Sequence, residues 1–131
     1  MATTNAQIRI NSSDLTGDVL ALDQQTSLKK AGVSTGLDQT TGVGRKTTTS
    51  TSEYVLFDAD DYTAARAHKI YIRVVSANAT EYATLNLGST AMGRLYGGDW
   101  CFIPWQAQSD IKITPSVATE FSIEYLLIFE A

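Results

Sequence analysis

All twelve aromatic residues of the chain lie between Tyr54 and Phe129, and the first fifty-three residues hold none, nor any proline or cysteine. Aromatic side chains bury the most apolar area per residue, so a segment without them contributes only a thin share of a core. That front segment carries seventeen Ser and Thr residues, broken by short apolar stretches such as Ile8-Arg9-Ile10 and Val19-Leu20-Ala21-Leu22 that a disordered tail would not need. The split predicts an extended Ser/Thr-rich N-terminal arm over residues 1–53, followed by a compact domain over residues 54–131. Removing fifty residues from a 131-residue chain leaves a body of marginal size. A long arm is ordered at low entropic cost only when a surface receives it. Self-association meets both needs.

Strand signals dominate the second part. In His68-Lys69-Ile70-Tyr71-Ile72-Arg73-Val74-Val75 the residues Ile70, Ile72 and Val74 share one face, and Lys69, Tyr71 and Arg73 the other. That is the period of two expected when one face is wet. Tyr54 to Phe57, Tyr82 to Leu87, Asp110 to Thr114 and Glu120 to Glu130 read as further strands. Trp100 to Trp105, nearly all apolar, is expected to be central, although Pro104 marks a strand end or an edge. Leu126 and Ile128 are expected to be buried together with their neighbours Leu127 and Phe129. Ala64 to His68 has room for one helical turn. The spacing and the lack of an amphipathic helix predict an all-β antiparallel β-sandwich, jelly-roll-like in its specific version, with a small closed barrel as the competing reading. Within the arm, Thr47, Thr48, Thr49 and Thr51 are β-branched and suited to pairing along a sheet edge, including the edge of a neighbour.

Charge narrows the partners. Residues 1–52 sum to +1 and residues 53–131 to −5. An acidic body repels phosphate, and the isolated pairs Lys29-Lys30 and Arg45-Lys46 form no basic stripe, so nucleic acid is excluded as a partner. The start of the chain lacks the basic and apolar runs of a signal peptide, and no run of eighteen apolar residues occurs, so a protein made and kept in a cytoplasm, with no membrane partner, is expected. The sequons at Asn11 and Asn78 then have no consequence.

The motifs of catalysis and cofactor binding are weak. Gly42-Val43-Gly44-Arg45-Lys46-Thr47 lacks the spacing of a phosphate loop. Asp58, Asp60 and Asp61 read as turn caps before they read as a cation site, since the calcium-loop glycine and distal Glu are missing. His68, the single histidine, has no Gly-x-Ser-x-Gly nucleophile to serve. Glu53, Glu81, Glu120 and Glu124 are available as paired carboxylates, but availability alone identifies no glycosidase. Cys101, between Trp100 and Phe102, reads as a small core residue. No enzyme, no cofactor and no metal are expected. Tyr96, Trp100 and Trp105 are the candidates for a subunit interface or a sugar-stacking platform.

The segment Leu95-Tyr96-Gly97-Gly98-Asp99-Trp100-Cys101-Phe102-Ile103-Pro104-Trp105, followed by Ser109-Asp110-Ile111-Lys112-Ile113 and Ile123-Glu124-Tyr125-Leu126-Leu127, resembles small virion proteins of tailed bacteriophages. The shared pattern is a glycine turn, an aromatic-proline strand, a short loop, a polar-apolar strand and a closing Glu-Tyr strand, over roughly the last forty residues. Within that group the capsid decoration or cement proteins are most similar in size and in pairing a β-domain with an arm. The resemblance implies a virion location, a homotrimer over capsid junctions and the major capsid protein as partner, and it transfers no catalytic residue. A carbohydrate-binding or tail-fibre-associated β-sandwich module is the alternative expectation.

Overall fold

The structure, a computed structural model, describes residues 2–15 and 17–131. The chain divides into two compact units, Met1–Asp38 and Gln39–Ala131. The division falls fifteen residues before the expected end of the arm, because residues 39–48 supply strands to the β-domain. Eleven strands and one short 3-10 turn, but no α-helix, occur among the described residues. None of them forms a helix long and apolar enough to cross a membrane.

The first unit is built on a two-stranded antiparallel hairpin, β1 (Asn5–Ser12) and β2 (Leu20–Ser27). Its register runs from Asn5 opposite Ser27 to Ser12 opposite Leu20. Alternation therefore puts Ala6, Ile8, Ile10, Leu20 and Leu22 on one face and Gln7, Arg9, Asp23 and Gln25 on the other. After the hairpin, Leu28 and Leu37 are buried, and the Leu37 amide donates to Leu28 O at 3.1 Å.

The second unit is an antiparallel β-sandwich. One sheet contains β3 (Gln39–Thr40), β4 (Gly44–Thr48), β11 (Phe121–Phe129), β6 (His68–Val74) and β9 (Trp100–Trp105). β3 and β4 both pair with one side of β11, β6 with its other side, and β9 closes the sheet beyond β6. The other sheet has the order β5 (Tyr54–Phe57), β10 (Ile111–Pro115), β7 (Tyr82–Leu87), β8 (Thr90–Tyr96). Between the sheets lie Ile70, Ile72 and Val74 of β6, Phe121, Ile123 and Leu127 of β11, Ile111 and Ile113 of β10, and Ala83 and Leu85 of β7, all buried. Every one of these belongs to an alternating run, which is why the run forms a strand and why its polar members face outward.

Three expectations are corrected. Trp100–Trp105 is an edge strand, not a central one. Only Cys101, Ile103 and Trp105 turn towards the core, while Trp100, Phe102 and Pro104 face out, and Pro104 at an edge removes no ladder donor that a second neighbour would need. Leu126 and Ile128 are half-buried on the outer face of their sheet, turned away from the opposing sheet. The helical turn falls at Ala59–Asp61, where the Asp58 carboxylate accepts from the Asp60 amide at 2.9 Å. Residues 64–66 bend instead, with Ala65 at φ 60°.

Candidate interaction surface

Of the aromatic candidates, Trp105 is in the core. It is 5% exposed, packs between Phe57 at 6.1 Å and Tyr62 at 5.5 Å, and donates Nε1–H to Ser109 O at 2.9 Å. It is closed to sugars and partners alike. Tyr96 and Trp100 stand at the two ends of the turn that carries the chain from one sheet to the other. The turn is tightly held: the Gly97 amide donates to Glu81 O, the Gly98 amide to Val74 O and the Asp99 amide to Tyr96 O. A Cβ on Gly97 would fall onto Asn78 O, and Gly98 takes φ +90°, so both glycines are required. Because the turn changes sheets, its two aromatics face away from each other. Tyr96 lies on the outside of the four-stranded sheet, with its ring 5.2 Å from Tyr82, over which Arg94 stacks at 4.3 Å. Trp100 lies on the outside of the five-stranded sheet. The three candidates therefore do not form one platform.

The outer face of the five-stranded sheet is the most distinctive surface of this unit. The register sets Trp100 beside Arg73, Arg73 beside Glu124 and Glu124 beside Arg45 in one row across the strands. The next row is Phe102, Tyr71 and Leu126, and the third is Pro104, Lys69 and Ile128. Trp100 is 53% exposed and Phe102 39%. Glu124, the carboxylate among these residues, is engaged: Tyr71 donates its hydroxyl at 3.0 Å, and Arg45 approaches to 3.6 Å. Loss of hydration, then the hydrogen bond to Glu124 and its charge, push the Tyr71 phenol up, with Arg73 acting against them. Arg73 makes no ion pair among the described residues, and Lys69 donates to Ala67 O at 2.8 Å. Burial pulls the Lys69 ammonium down, opposed by the charge of Glu130. Sequence reasoning saw the Lys69, Tyr71, Arg73 face but missed its junction with Trp100 and Phe102, which depends on the pairing of β6 with β9.

The threonine candidates divide. Thr47 and Thr48 pair with Ser122 and Phe121 of β11, and Thr47 Oγ1 lies 2.8 Å from Ser122 Oγ. Thr49 and Thr51 lie outside any strand. Pairing is therefore made at Thr47 and Thr48 within the chain, and it occupies the side of β4 that faces β11.

The titratable candidates have structural roles. His68 is fully buried among Tyr62, Trp105 and Phe129. Its Nδ1 accepts the Glu130 amide at 3.3 Å and its Nε2 lies 2.8 Å from Thr63 O, so the ring is neutral with its proton on Nε2. Burial pushes the Cys101 thiol up, against a weaker effect of the Ile72 backbone, which keeps it protonated. Glu53 accepts from Asn86 at 2.8 Å, and Glu81 accepts from Ser76 at 2.5 Å. No group of three His, Cys, Asp or Glu able to hold a metal ion occurs among the described residues. Between the sheet edges, Leu87, Met92, Ile103, Ile111, Gln106 and Gln108 help line a cleft of about 400 Å³.

In the first unit the hairpin offers a second surface. Its apolar face keeps Ile8 and Leu22 about 40% exposed and Ile10 45% exposed. Of the residues that face it, Ala6, Ile8, Ile10, Ser12, Leu20, Leu22, Gln24 and Thr26, none is charged. The charges of the two strands lie on the opposite face, where Arg9 and Asp23 form an ion pair at 3.2 Å and Gln7 donates to Asp23 at 2.7 Å. No family model, no curated protein and no solved structure matches the chain.

Proposed function

We propose that the protein is a non-enzymatic structural component that associates with copies of itself and stabilises a larger assembly, in the manner of a capsid decoration protein. The observation that carries this reading is the hairpin. Two strands alone are marginal in water, and the apolar face of this pair keeps Ile8, Ile10 and Leu22 exposed. Fully covering Ile8, Ile10 and Leu22 would add about 1 kcal/mol for each. Because that face is uncharged, copies of it can gather about a symmetry axis, as in a trimer, without like-charge repulsion. The strand orders support the virion type. With β4, β11, β6, β9 in one sheet and β5, β10, β7, β8 in the other, we read the sandwich as a jelly roll, an architecture common in capsid proteins. The resemblance of the segment from Leu95 to Trp105 points the same way, to the major capsid protein as partner in a virion.

The test is the solution mass of the full chain by light scattering across a range of concentrations. A trimer that becomes a monomer in the Ile8→Asp, Ile10→Asp double variant is expected. A wild-type monomer at every concentration, or an oligomer that the variant leaves intact, would overturn the reading. The exposed Trp100 favours the second reading, a carbohydrate-binding module, with Trp100 as its stacking residue. That reading requires neutral glycans to shift Trp100 emission in a monomeric protein.

A further inference from the structure

We propose that the outer face of the five-stranded sheet docks an acidic, partly apolar segment of another protein, a contact distinct from self-association through the hairpin. The chain carries a net −4, yet this face gathers Arg45, Lys69 and Arg73 against the engaged carboxylate of Glu124, with the buried Glu130 beside Lys69 as the second negative charge. A positive face on an acidic molecule selects an anionic partner and steers its approach.

The side chains at the centre of the face define the partner further. Trp100, Phe102, Tyr71, Leu126, Pro104 and Ile128 make a contiguous apolar field, with cations beside it. Exposed aromatics interleaved with arginine are the composition of an interface centre, and a solvated sheet face needs none of them. Leucine, isoleucine and proline beside the rings favour apolar side chains over sugar rings, which stack on indole but gain little from aliphatic neighbours. Strand spacing and rise make the field roughly 15 Å by 17 Å, the footprint of a short segment and not of a whole globular interface. Pro104 on the edge strand leaves the contact to side chains, since it supplies no N–H for a backbone ladder. The occupant is therefore a segment whose apolar residues lie over Trp100 and Phe102 while its carboxylates reach Arg73 and Lys69.

The two indoles supply the readout, because Trp105 is buried and Trp100 is the one that acrylamide can reach. Full-length protein is titrated with a synthetic peptide of Leu and Glu residues, and with the same peptide carrying Lys in place of Glu. Acrylamide quenching reports the protection of Trp100, and light scattering reports the mass. The acidic peptide is expected to protect Trp100 and the basic one to fail. Affinity should fall at least about tenfold in Arg73→Glu, and less in Lys69→Glu, which guards against a folding defect in the first variant. It should also fall as salt rises from about 50 to about 500 mM.

Equal binding of the two peptides, or of neither, would overturn the proposal. So would protection of Trp100 by hyaluronan at concentrations where the acidic peptide has no effect, which would make the face a glycan surface. Protection that rises with protein concentration and mass, without peptide, would assign the face to a second copy and overturn it as well. A monomer that binds the acidic peptide would support this proposal while defeating the self-association reading, so the two stand or fall separately.

Discussion

The hairpin of Met1–Asp38 and the sandwich of Gln39–Ala131 both start from strands that alternate apolar and polar residues, and only the sandwich buries its apolar faces. Ile70, Ile72 and Val74 have no exposed area because an opposing sheet supplies a second layer, whereas Ile8 and Ile10 have the same alternation and two strands alone. Alternation therefore defines a face, and the number of layers decides what covers it. The outer face of the five-stranded sheet is an intermediate case. Its strands are fixed by the core beneath, yet it carries Trp100, Phe102 and Leu126 where a purely solvated face would be polar. The sandwich thus carries its uncovered apolar surface on strands held in place by a core, and the hairpin carries its own on strands with no such core.

The largest expected effect tests that contrast directly. Ile72→Ala removes a fully buried side chain between the sheets and should cost about 2–5 kcal/mol in urea unfolding followed by Trp105 fluorescence. Ile10→Ala should move the same transition by less than about 1 kcal/mol under dilute conditions and weaken association instead. Equal losses at both positions would break the comparison, since they would place Ile10 in the same cooperative core as Ile72. A smaller effect is expected at His68, a buried polar group whose two ring nitrogens both have partners. His68→Leu leaves the Glu130 amide and Thr63 O without their ring partners in a buried site, at about 1–3 kcal/mol. Hydrogen exchange at the Glu130 amide should accelerate more than the loss of global stability explains. If stability is unchanged, the neutral ring is not the hydrogen-bonding hub that its two contacts describe.

Much of this architecture was legible from residue order. The face of Ile70, Ile72 and Val74, the closing strand, the turn at Gly97-Gly98 and the capping role of Asp58 all follow from local pattern, because strand period and turn geometry are local properties. The site was less legible, for a physical reason. Whether Trp100 is exposed depends on which strand lies beside it, and an apolar run reads the same at a sheet edge as at its centre. Trp100 and Trp105, five residues apart on one strand, have opposite parity and so opposite fates, which a list of aromatic candidates does not resolve. Residues 39–48 fall with the second unit because Thr47 and Thr48 serve as strand residues through backbone pairing with β11, and such pairing needs no aromatic side chain to announce it.

The smallest effect concerns Tyr54, the first aromatic of the chain, and it probes the sandwich without touching the hairpin, which holds no tyrosine. Its hydroxyl is buried without a hydrogen-bond partner among the described residues, its ring lies 4.8 Å from Lys46 Nζ, and burial pushes the phenol up from 10.0 to about 12. The folded protein thus holds this proton more tightly than the unfolded chain does. The resulting stability is fully present below about pH 10 and is lost as the pH rises towards about 12. The loss should be about 1–2 kcal/mol, less than complete burial would give, because part of the ring meets water. Tyr54→Phe removes both the unpartnered hydroxyl and the titration. It should be neutral or stabilising by up to about 1 kcal/mol at pH 7, and should flatten the stability profile between those two pH values. Tyr62 and Tyr71, pushed up as well, and Lys69, pulled down, remain in the variant, so the difference between the two profiles isolates one side chain. Profiles that stay parallel from pH 7 to pH 12 would mean that Tyr54 ionises in the folded state as easily as in the unfolded one, and that the edge formed by β5 is open to water.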